Sequence, residues 1–402
     1  MTTLPTEGTV YTFGDYELDT RVREVRCAGE NRHVEPQVFD VLVHLFARRD
    51  RVVPKEELLD SVWGHRYVAP TTLNSRIKAA RQAVGDDGTS QRVIRTVHGR
   101  GFRVVADVAE RSDAAPRATQ RLEQCIRFCT AADGVRIAYA TSGTGPPLVK
   151  PANWLTHLEY DWESPVWRHW LRDLSRDHTL IRYDERGSGL SDRDAADLSF
   201  ESWVHDLETV VDAMGLERFP LFCLSQACAV SIVYAVRHPE RVSKLVFYGG
   251  YAQGIRTRAR TPEEIDEANL IMRQVPLGWG RDNPAFRLFF AARFLPEGTP
   301  EQIRWFCELQ RVTTSPEIAV RLLTSVADVD VVDLARQIRA PTLVLHSTGE
   351  GVVPFEQGRL LASLIPGARF VPLESRNHVL LESEPAWSRL IDEVRRFLAE
   401  SD

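Results

Sequence analysis

Three side chains in the second half of the chain are of the types that carry out acyl transfer. The stretch FPLFCLSQACAVSIVYAV, residues 219–236, reads as an apolar strand that ends at Ser225, with a helical pattern beginning at once. A strand–serine–helix turn of this kind exposes the hydroxyl at the edge of a sheet. It also aims the next backbone N–H, that of Gln226, at a developing oxyanion. Cys223 and Ala227 occupy the flanking positions where G-x-S-x-G has glycine, and both are small, as a tight turn requires. The run PTLVLH is followed by STGEGVVP, which places Glu350 in a loop after a later strand; ARFVPL is followed by ESRNHVLL, which places His378 after a strand later still. Ser225, Glu350 and His378 therefore run in the order nucleophile, acid, base. Serine would attack a carbonyl, histidine would take and return the proton, and the glutamate would orient the imidazole with one methylene more than aspartate has. Asp328, Asp330 and Asp333 precede the penultimate strand and are weaker acids for this purpose, and His346, at a strand end, reads as a packed histidine.

Those residues need a sheet to hold them. Strand-like runs at about 125–131, 135–142, 147–150, 178–184, 219–224, 243–249, 341–346 and 368–373 alternate with helical patterns, which predicts an α/β domain with a mostly parallel eight-stranded sheet. A polar, Ala-rich stretch at 107–123, broken by Pro116, reads as a linker, so the chain is expected to divide into 9–106 and 124–402. The first part is a small α+β pattern. Short alternating strands fill 10–28, and helices are expected from Pro36 (Val38, Val41, Leu42, Leu45), from about Pro54 to Gly64 (Leu58, Leu59, Val62, Trp63), and from Pro70 to Val84 (Leu73, Ile77, Ala80, Val84). A hairpin about Gly99-Arg100-Gly101 closes it. The charge of residues 1–110 sums to zero, yet residues 66–103 carry eight basic side chains against only Asp86 and Asp87, a patch of the kind that meets phosphates.

The strand–three-helix–hairpin order resembles the winged-helix effector domain of OmpR-type response regulators over roughly residues 9–106, and IRTVHGRGFRVV resembles the family's T-V-x-G-x-G-[YF]-R wing. The resemblance implies that the third helix enters the DNA major groove and that the wing touches the neighbouring backbone. Thr72, Asn74, Ser75, Arg76, Lys78 and Arg81 then occupy recognition-helix positions, and Arg95, Thr96, His98 and Arg100 occupy wing positions. The second part resembles the α/β-hydrolase family over roughly 124–402. YDERGSGLS, residues 183–191, is similar to the family's D-x-R-G-x-G-x-S turn. VKPANWLTH, residues 149–157, lies where the family has H-G-[FW], which implies the Trp154 N–H as second oxyanion donor beside that of Gln226, although Ala152 and Asn153 replace His-Gly. Residues 251–330 are expected to form a helical lid, with Trp279, Phe286, Phe289, Phe290 and Phe294 as its aromatic candidates and an apolar pocket beneath.

With 43% hydrophobic and 26% charged residues the composition excludes a disordered or fibrous chain. No run approaches the roughly 18 apolar residues of a membrane helix, and the start MTTLPTEGTVYTFG lacks a secretory pattern. Six cysteines without a framework fit a reduced compartment, so the expected location is cytoplasmic; Cys223, Cys228, Cys125 and Cys129 read as packing residues, and neither metal nor cofactor is expected. These features together predict a one-component transcriptional regulator. The response regulators' receiver domain is not expected ahead of the winged helix, so the signal should come from the hydrolase-type domain, which would bind and cleave a small apolar ester, lactone or thioester. The expected partners are double-stranded promoter DNA, that ester-like ligand, RNA polymerase and a second copy of the chain, because one winged helix reads a short half-site; no membrane partner is expected. Two other readings fit the same residues: a ligand sensor whose hydrolase fold is catalytically silent, and an esterase whose winged helix is an interaction module.

Overall fold

The structure is a computed structural model that describes residues 9–400 except 21–22, 28, 33, 64–69, 113–122 and 280–283. The chain divides into two compact units, Met1–Gln120 and Arg121–Asp402.

In the first unit β1 (Thr9–Phe13), β2 (Tyr16–Asp19), β3 (Glu24–Cys27) and β4 (Glu30–Arg32) form an antiparallel meander, followed by α1 (Pro36–Ala47), α2 (Lys55–Trp63), α3 (Pro70–Ala83) and the hairpin β5 (Ile94–Val97) with β6 (Gly101–Val104). The expected end of the second helix, Gly64, lies outside the described residues. Period-2 strands and period-3.6 helices turn their apolar residues to one core: Tyr11, Phe13, Leu18, Leu42, Leu45 and Phe46 meet Leu73, Ile77 and Ala80 of α3 and Ile94 and Phe102 of the hairpin. The expected linker begins too early. Ala109–Ser112 is a further strand, β7, that pairs antiparallel with β1 and gives the order β4-β3-β2-β1-β7. Its short AERS sequence carries too little apolar signal to be read as a strand; it is held by the open edge of β1.

Gly101 shows why the hairpin sits where it does. Its φ is +143°, and a β-carbon there would lie 2.0 Å from the Val53 carbonyl oxygen. Only glycine lets β6 press against the strand-like bridge in which the Val53 and Phe102 N–H groups donate to each other's carbonyls.

In the second unit the strands are β8 (Gln124–Thr130), β9 (Arg136–Ser142), β10 (Pro147–Lys150), β11 (Thr179–Tyr183), β12 (Phe219–Leu224), β13 (Val242–Tyr248), β14 (Thr342–Ser347) and β15 (Arg369–Leu373). They form one sheet in the order β15-β14-β13-β12-β10-β11-β9-β8, parallel from β15 to β11 and antiparallel at β9 and β8, as the alternation of runs predicts. The middle strands are buried along almost their whole length because helices cover both faces. Those helices are α4 (Leu158–Trp162), α5 (Arg168–Leu174), α6 (Phe200–Ala213), α7 (Gln226–Arg237), α14 (Phe355–Leu364) and α15 (Pro385–Ala399). Between β13 and β14 the chain leaves the sheet through α8 (Ile255–Arg258), α9 (Pro262–Gly278), α10 (Pro284–Phe294), α11 (Pro300–Thr313), α12 (Pro316–Ala327) and α13 (Val332–Ala335).

Candidate active site and candidate DNA-reading face

Ser225 stands between β12 and α7 with φ 55° and ψ −122°, one of the positive-φ non-glycine residues among those described. Such a conformation costs about 1–3 kcal/mol and persists where surrounding structure holds it. Here the Ser225 N–H donates to the Tyr248 carbonyl at the end of β13, 3.0 Å away, and the side chain is 7% exposed. Gln226 opens α7, whose first N–H groups have no intrahelical acceptor. Its side-chain amide donates to Glu185 Oε1 at 2.7 Å, which ties the turn to the loop after β11. Burial raises the Glu185 carboxyl well above its usual value, and Asp206 adds to the effect.

Glu350 follows β14 and His378 follows β15, both buried. His378 Nδ1 is in contact with Glu350 Oε2. The His378 N–H donates to the Phe294 carbonyl at 2.9 Å, so α10 holds the histidine loop from above. Gly249 makes room below: a β-carbon there would lie 3.1 Å from the imidazole Cε1. His378 Nε2 is buried and has no hydrogen-bond partner among the described residues. It shares a small cavity of about 10 Å³ with Ser225, Asn153, Trp154 and Phe306. Ser225, His378 and the Asn153–Trp154 loop thus border one space at the carboxyl ends of parallel strands, where open α/β sheets place ligands.

His346, read from the sequence as a packing residue, lies against the acid. Its Nε2 is 2.6 Å from Glu350 Oε1 and 3.0 Å from the Val353 carbonyl, and its side chain is wholly buried. Burial pushes Glu350 towards the neutral acid, but His378 and His346 outweigh it and hold the carboxyl below its usual value. Asp328 pairs instead with Arg256, and Asp330 binds Gln253 at 2.9 Å.

In the loop after β10, where the resemblance places His-Gly, Ala152 and Asn153 stand and a different brace forms. Lys150 Nζ donates to Asn153 Oδ1, and Asn153 Nδ2 donates to the Trp154 carbonyl at 3.1 Å. Lys150 is buried, and desolvation lowers its pKa to about 8. The DERGSGLS loop is a structural turn: buried Arg186 is bidentate to Asp206 at 2.9 and 2.6 Å, and Asp184 Oδ2 accepts from the Leu190 and Leu158 N–H groups. Cys223 donates to Ser231 Oγ at 3.1 Å, and burial pushes its thiol up to about 12, so it is no thiolate.

A cavity of about 110 Å³ opens above Ser225, Gln226 and Trp154. Ile271, Met272, Phe290, Phe294 and Leu323, from the inserted helices, supply apolar walls. Of the aromatic lid candidates, Trp279, Phe290 and Phe294 are buried near Trp154, with Trp154–Trp279 centroids 5.5 Å apart, whereas Phe289 is 42% exposed. Two arginines, Arg258 and Arg293, also line the cavity; the sequence offered no pattern that would single them out.

In the first unit Asn74, Ser75 and Lys78 are exposed on α3 and Thr72 is half-buried, while Arg95, His98 and Arg100 are exposed on the hairpin. Arg76 pairs with Glu35. Two expected reading residues are spoken for elsewhere. Arg81 is 8% exposed, its Nε donates to the Ile94 carbonyl at 2.9 Å, and its NH2 donates to Thr96 Oγ1 at 2.8 Å. Arg81 and Thr96 thus fasten α3 to β5: Arg81, expected to read DNA, is instead buried, while Thr96 only accepts from it and stays half-buried. Asp86, counted above only as an acid opposing the patch, accepts from the N–H groups of Asp87, Arg92, Val93 and Ile94 and organises the turn into the hairpin. Burial opposes its ionisation, but those four bonds hold its carboxyl below the usual value.

Residues 29–104 match the family described as transcriptional regulatory protein, C terminal, and residues 158–296 match the α/β hydrolase fold. The chain joins an OmpR-type winged helix to an α/β-hydrolase fold. Its second unit is similar to pyrrolizixenacetamide deacetylase of Xenorhabdus hominickii, 24% identical over 66% of this chain and 96% of that protein. It is also similar to 2-hydroxy-6-oxo-2,4-heptadienoate hydrolase of Pseudomonas putida, 27% identical over 65% and 88%. Among solved structures it superposes on the esterase RhEst1 from Rhodococcus sp. ECU1013 with a TM-score of 0.57 and 26% identity, covering 68% of this chain and 98% of that one. The enol-lactonase from Burkholderia xenovorans LB400 shares the fold at a TM-score of 0.55 and 21% identity, covering 68% and 100%. No helix among the described residues is long and apolar enough to cross a membrane.

Proposed function

We propose that the chain is a one-component regulator: its winged helix binds promoter DNA, and its hydrolase-fold unit binds and cleaves a small ester, lactone or thioester with an apolar body. The observation that carries the enzymatic part is the joint placement of a positive-φ serine, a buried imidazole paired with a buried glutamate, and Trp154 around one cavity. Ser225 Oγ attacks the carbonyl carbon as its proton passes to His378 Nε2. The resulting oxyanion accepts from the Gln226 and Trp154 N–H groups. The tetrahedral intermediate collapses, and the departing alcohol or thiol takes the proton from His378. Water then attacks the acyl-serine by the same route, returning the acid product and free Ser225. Glu350 stays ionised throughout and stabilises the imidazolium.

Exposed Lys78, Arg95, His98 and Arg100, with Asn74, support the DNA-binding part. Residues 251–330 act as the lid, since α9 and α10 wall the cavity. Ligand binding or acylation of Ser225 alters the affinity for DNA, possession of both units in one chain being the motive. The test mixes the full chain with a fluorophosphonate probe and a p-nitrophenyl ester series, beside Ser225→Ala. Labelling and turnover that vanish in the variant support a working hydrolase. A folded protein that neither labels nor turns over makes it a silent receptor. Promoter affinity that is unchanged by any ligand and by acylation removes the regulatory link.

A further inference from the structure

The reactive space is walled mainly by apolar side chains, yet two cations stand in its wall. Arg258, on α8, and Arg293, on α10, both line the cavity above Ser225. Both also line a neighbouring cavity of about 320 Å³ with Glu264, Glu267 and Glu356, and with Ile255 and Val352 they border both spaces. Each is anchored by a backbone carbonyl just past the acid: Arg258 donates to Val352 O at 3.2 Å and Arg293 to Gly351 O at 3.1 Å. These bonds hold the guanidinium groups in place but do not neutralise them.

Their charge is poorly matched. Glu267 Oε1 is 3.9 Å from Arg293, and that glutamate is 65% exposed. Arg258 has no carboxylate within 4.0 Å among the described residues; it also donates to the Gln253 carbonyl at 3.4 Å. Burial is the main cause that lowers the pKa of each, and Arg293 adds to the effect on Arg258, so the two feel one another. Half-buried cations are ordinarily paired, because losing water without gaining a counter-charge is costly. The lining of the cavity above Ser225 holds no carboxylate, so on that side the two guanidinium groups face no counter-charge. Arginine's planar fork suits a carboxylate in particular.

We infer that Arg258 and Arg293 form a carboxylate subsite, and that the ligand of this unit has an apolar body with a carboxylate at one end. The inference deepens the hydrolase reading and rests on it for the position of the scissile bond, but the subsite can be tested without turnover.

The experiment uses the full chain and three esters of similar length: p-nitrophenyl hexanoate, mono-p-nitrophenyl adipate with the carboxylate on the acyl side, and 4-carboxyphenyl hexanoate with it on the leaving side. The expected result is a kcat/KM at least about 10-fold higher for one of the two anionic esters than for neutral hexanoate, with the preferred ester telling which side faces the arginines. Arg258→Met with Arg293→Met should remove that preference, chiefly through KM of the preferred anionic ester. Preference for the neutral ester, or equal loss on all three in the folded variants, overturns the subsite. If Ser225 neither labels nor turns over, hydrolysis fails as a function and the subsite is read by calorimetry with 5-phenylvalerate against 5-phenylpentanol. Carboxylate binding about 10-fold tighter than the alcohol, and dependent on the two arginines, supports it. Equal affinities, or no binding of either up to about 1 mM, overturn it. The wild-type comparison needs no variant, so a misfolded double variant does not rescue the idea.

Discussion

The two units hold their candidate functional side chains in opposite surroundings. Lys78, Arg95, His98 and Arg100 of the winged helix stand in water, whereas Ser225, Glu350 and His378 are each less than one-tenth exposed. The contrast fits the partner proposed for each. Phosphates are met at the surface, where exposed cations release counterions and tolerate loose geometry. Acyl transfer needs dipoles fixed before the reaction in a space with little water, where each interaction is stronger and each misplacement costs more. Arg81 marks the border between the two regimes. It sits on α3, the candidate reading helix, but once buried and bonded to Ile94 and Thr96 it belongs to the framework.

The comparison can be broken by experiment, most severely at the buried site. Ser225→Ala should lower ester turnover by about 10⁴-fold or more and leave the affinity for a promoter fragment without ligand unchanged; retention of turnover would show that the chemistry lies elsewhere. Glu350→Gln should lower kcat by roughly 10³-fold, because the imidazole loses the charge that orients it and stabilises its protonated form. A variant with near-native kcat would remove the glutamate from the triad.

Acid should act on the buried unit through His169. Burial lowers its pKa to about 4 although its Nε2 lies 3.0 Å from the Leu380 carbonyl. A histidine depressed in the fold favours the neutral state. Its contribution, about 3 kcal/mol at most for a shift of this size, is present above pH ~6.5 and is lost as pH falls towards 4. Denaturant unfolding at pH 7 and pH 4.5 should show that loss in the wild type and a smaller one in His169→Gln; identical pH slopes would refute it.

The winged helix should separate framework from surface. Arg81→Met strips the Ile94 carbonyl and the Thr96 hydroxyl of their donor and should cost about 2 kcal/mol of stability in that unit, seen as an earlier first transition on denaturation. Lys78→Ala with Arg95→Ala should leave stability unchanged within about 0.5 kcal/mol, weaken promoter binding about 10-fold, and reduce the slope of log affinity against log salt by about two. If instead Arg81→Met alone carries the salt dependence, the assignment of framework and surface is reversed.

Much of the fold was legible because its patterns are local. Val38, Val41, Leu42 and Leu45 recur at helical spacing, and β12, β13 and β14 each hold a short apolar run (FPLFCL, LVFY, LVL), so neither needs a neighbour to be read. AERS at 109–112 has no such pattern, and its pairing with β1 comes from a partner about 100 residues away. The positions of Ser225, Glu350 and His378 were legible as an order along the chain. The two histidines on Glu350 were not, since His346 reads as an ordinary strand residue until the loop of residues 348–353 folds back over it.

By itself, then, the sequence determined the kinds of element, their succession, and the residue types available for reaction and for phosphate contact, because these depend on periodicity and side-chain chemistry over a few residues. The tertiary structure alone decided which charges are paired. It buried Arg81 and exposed Arg95, gave Glu350 two imidazoles, and left Arg258 with no carboxylate within 4.0 Å among the described residues. Charge pairing depends on distance and on the removal of water, and both are set only when segments far apart in the chain pack together.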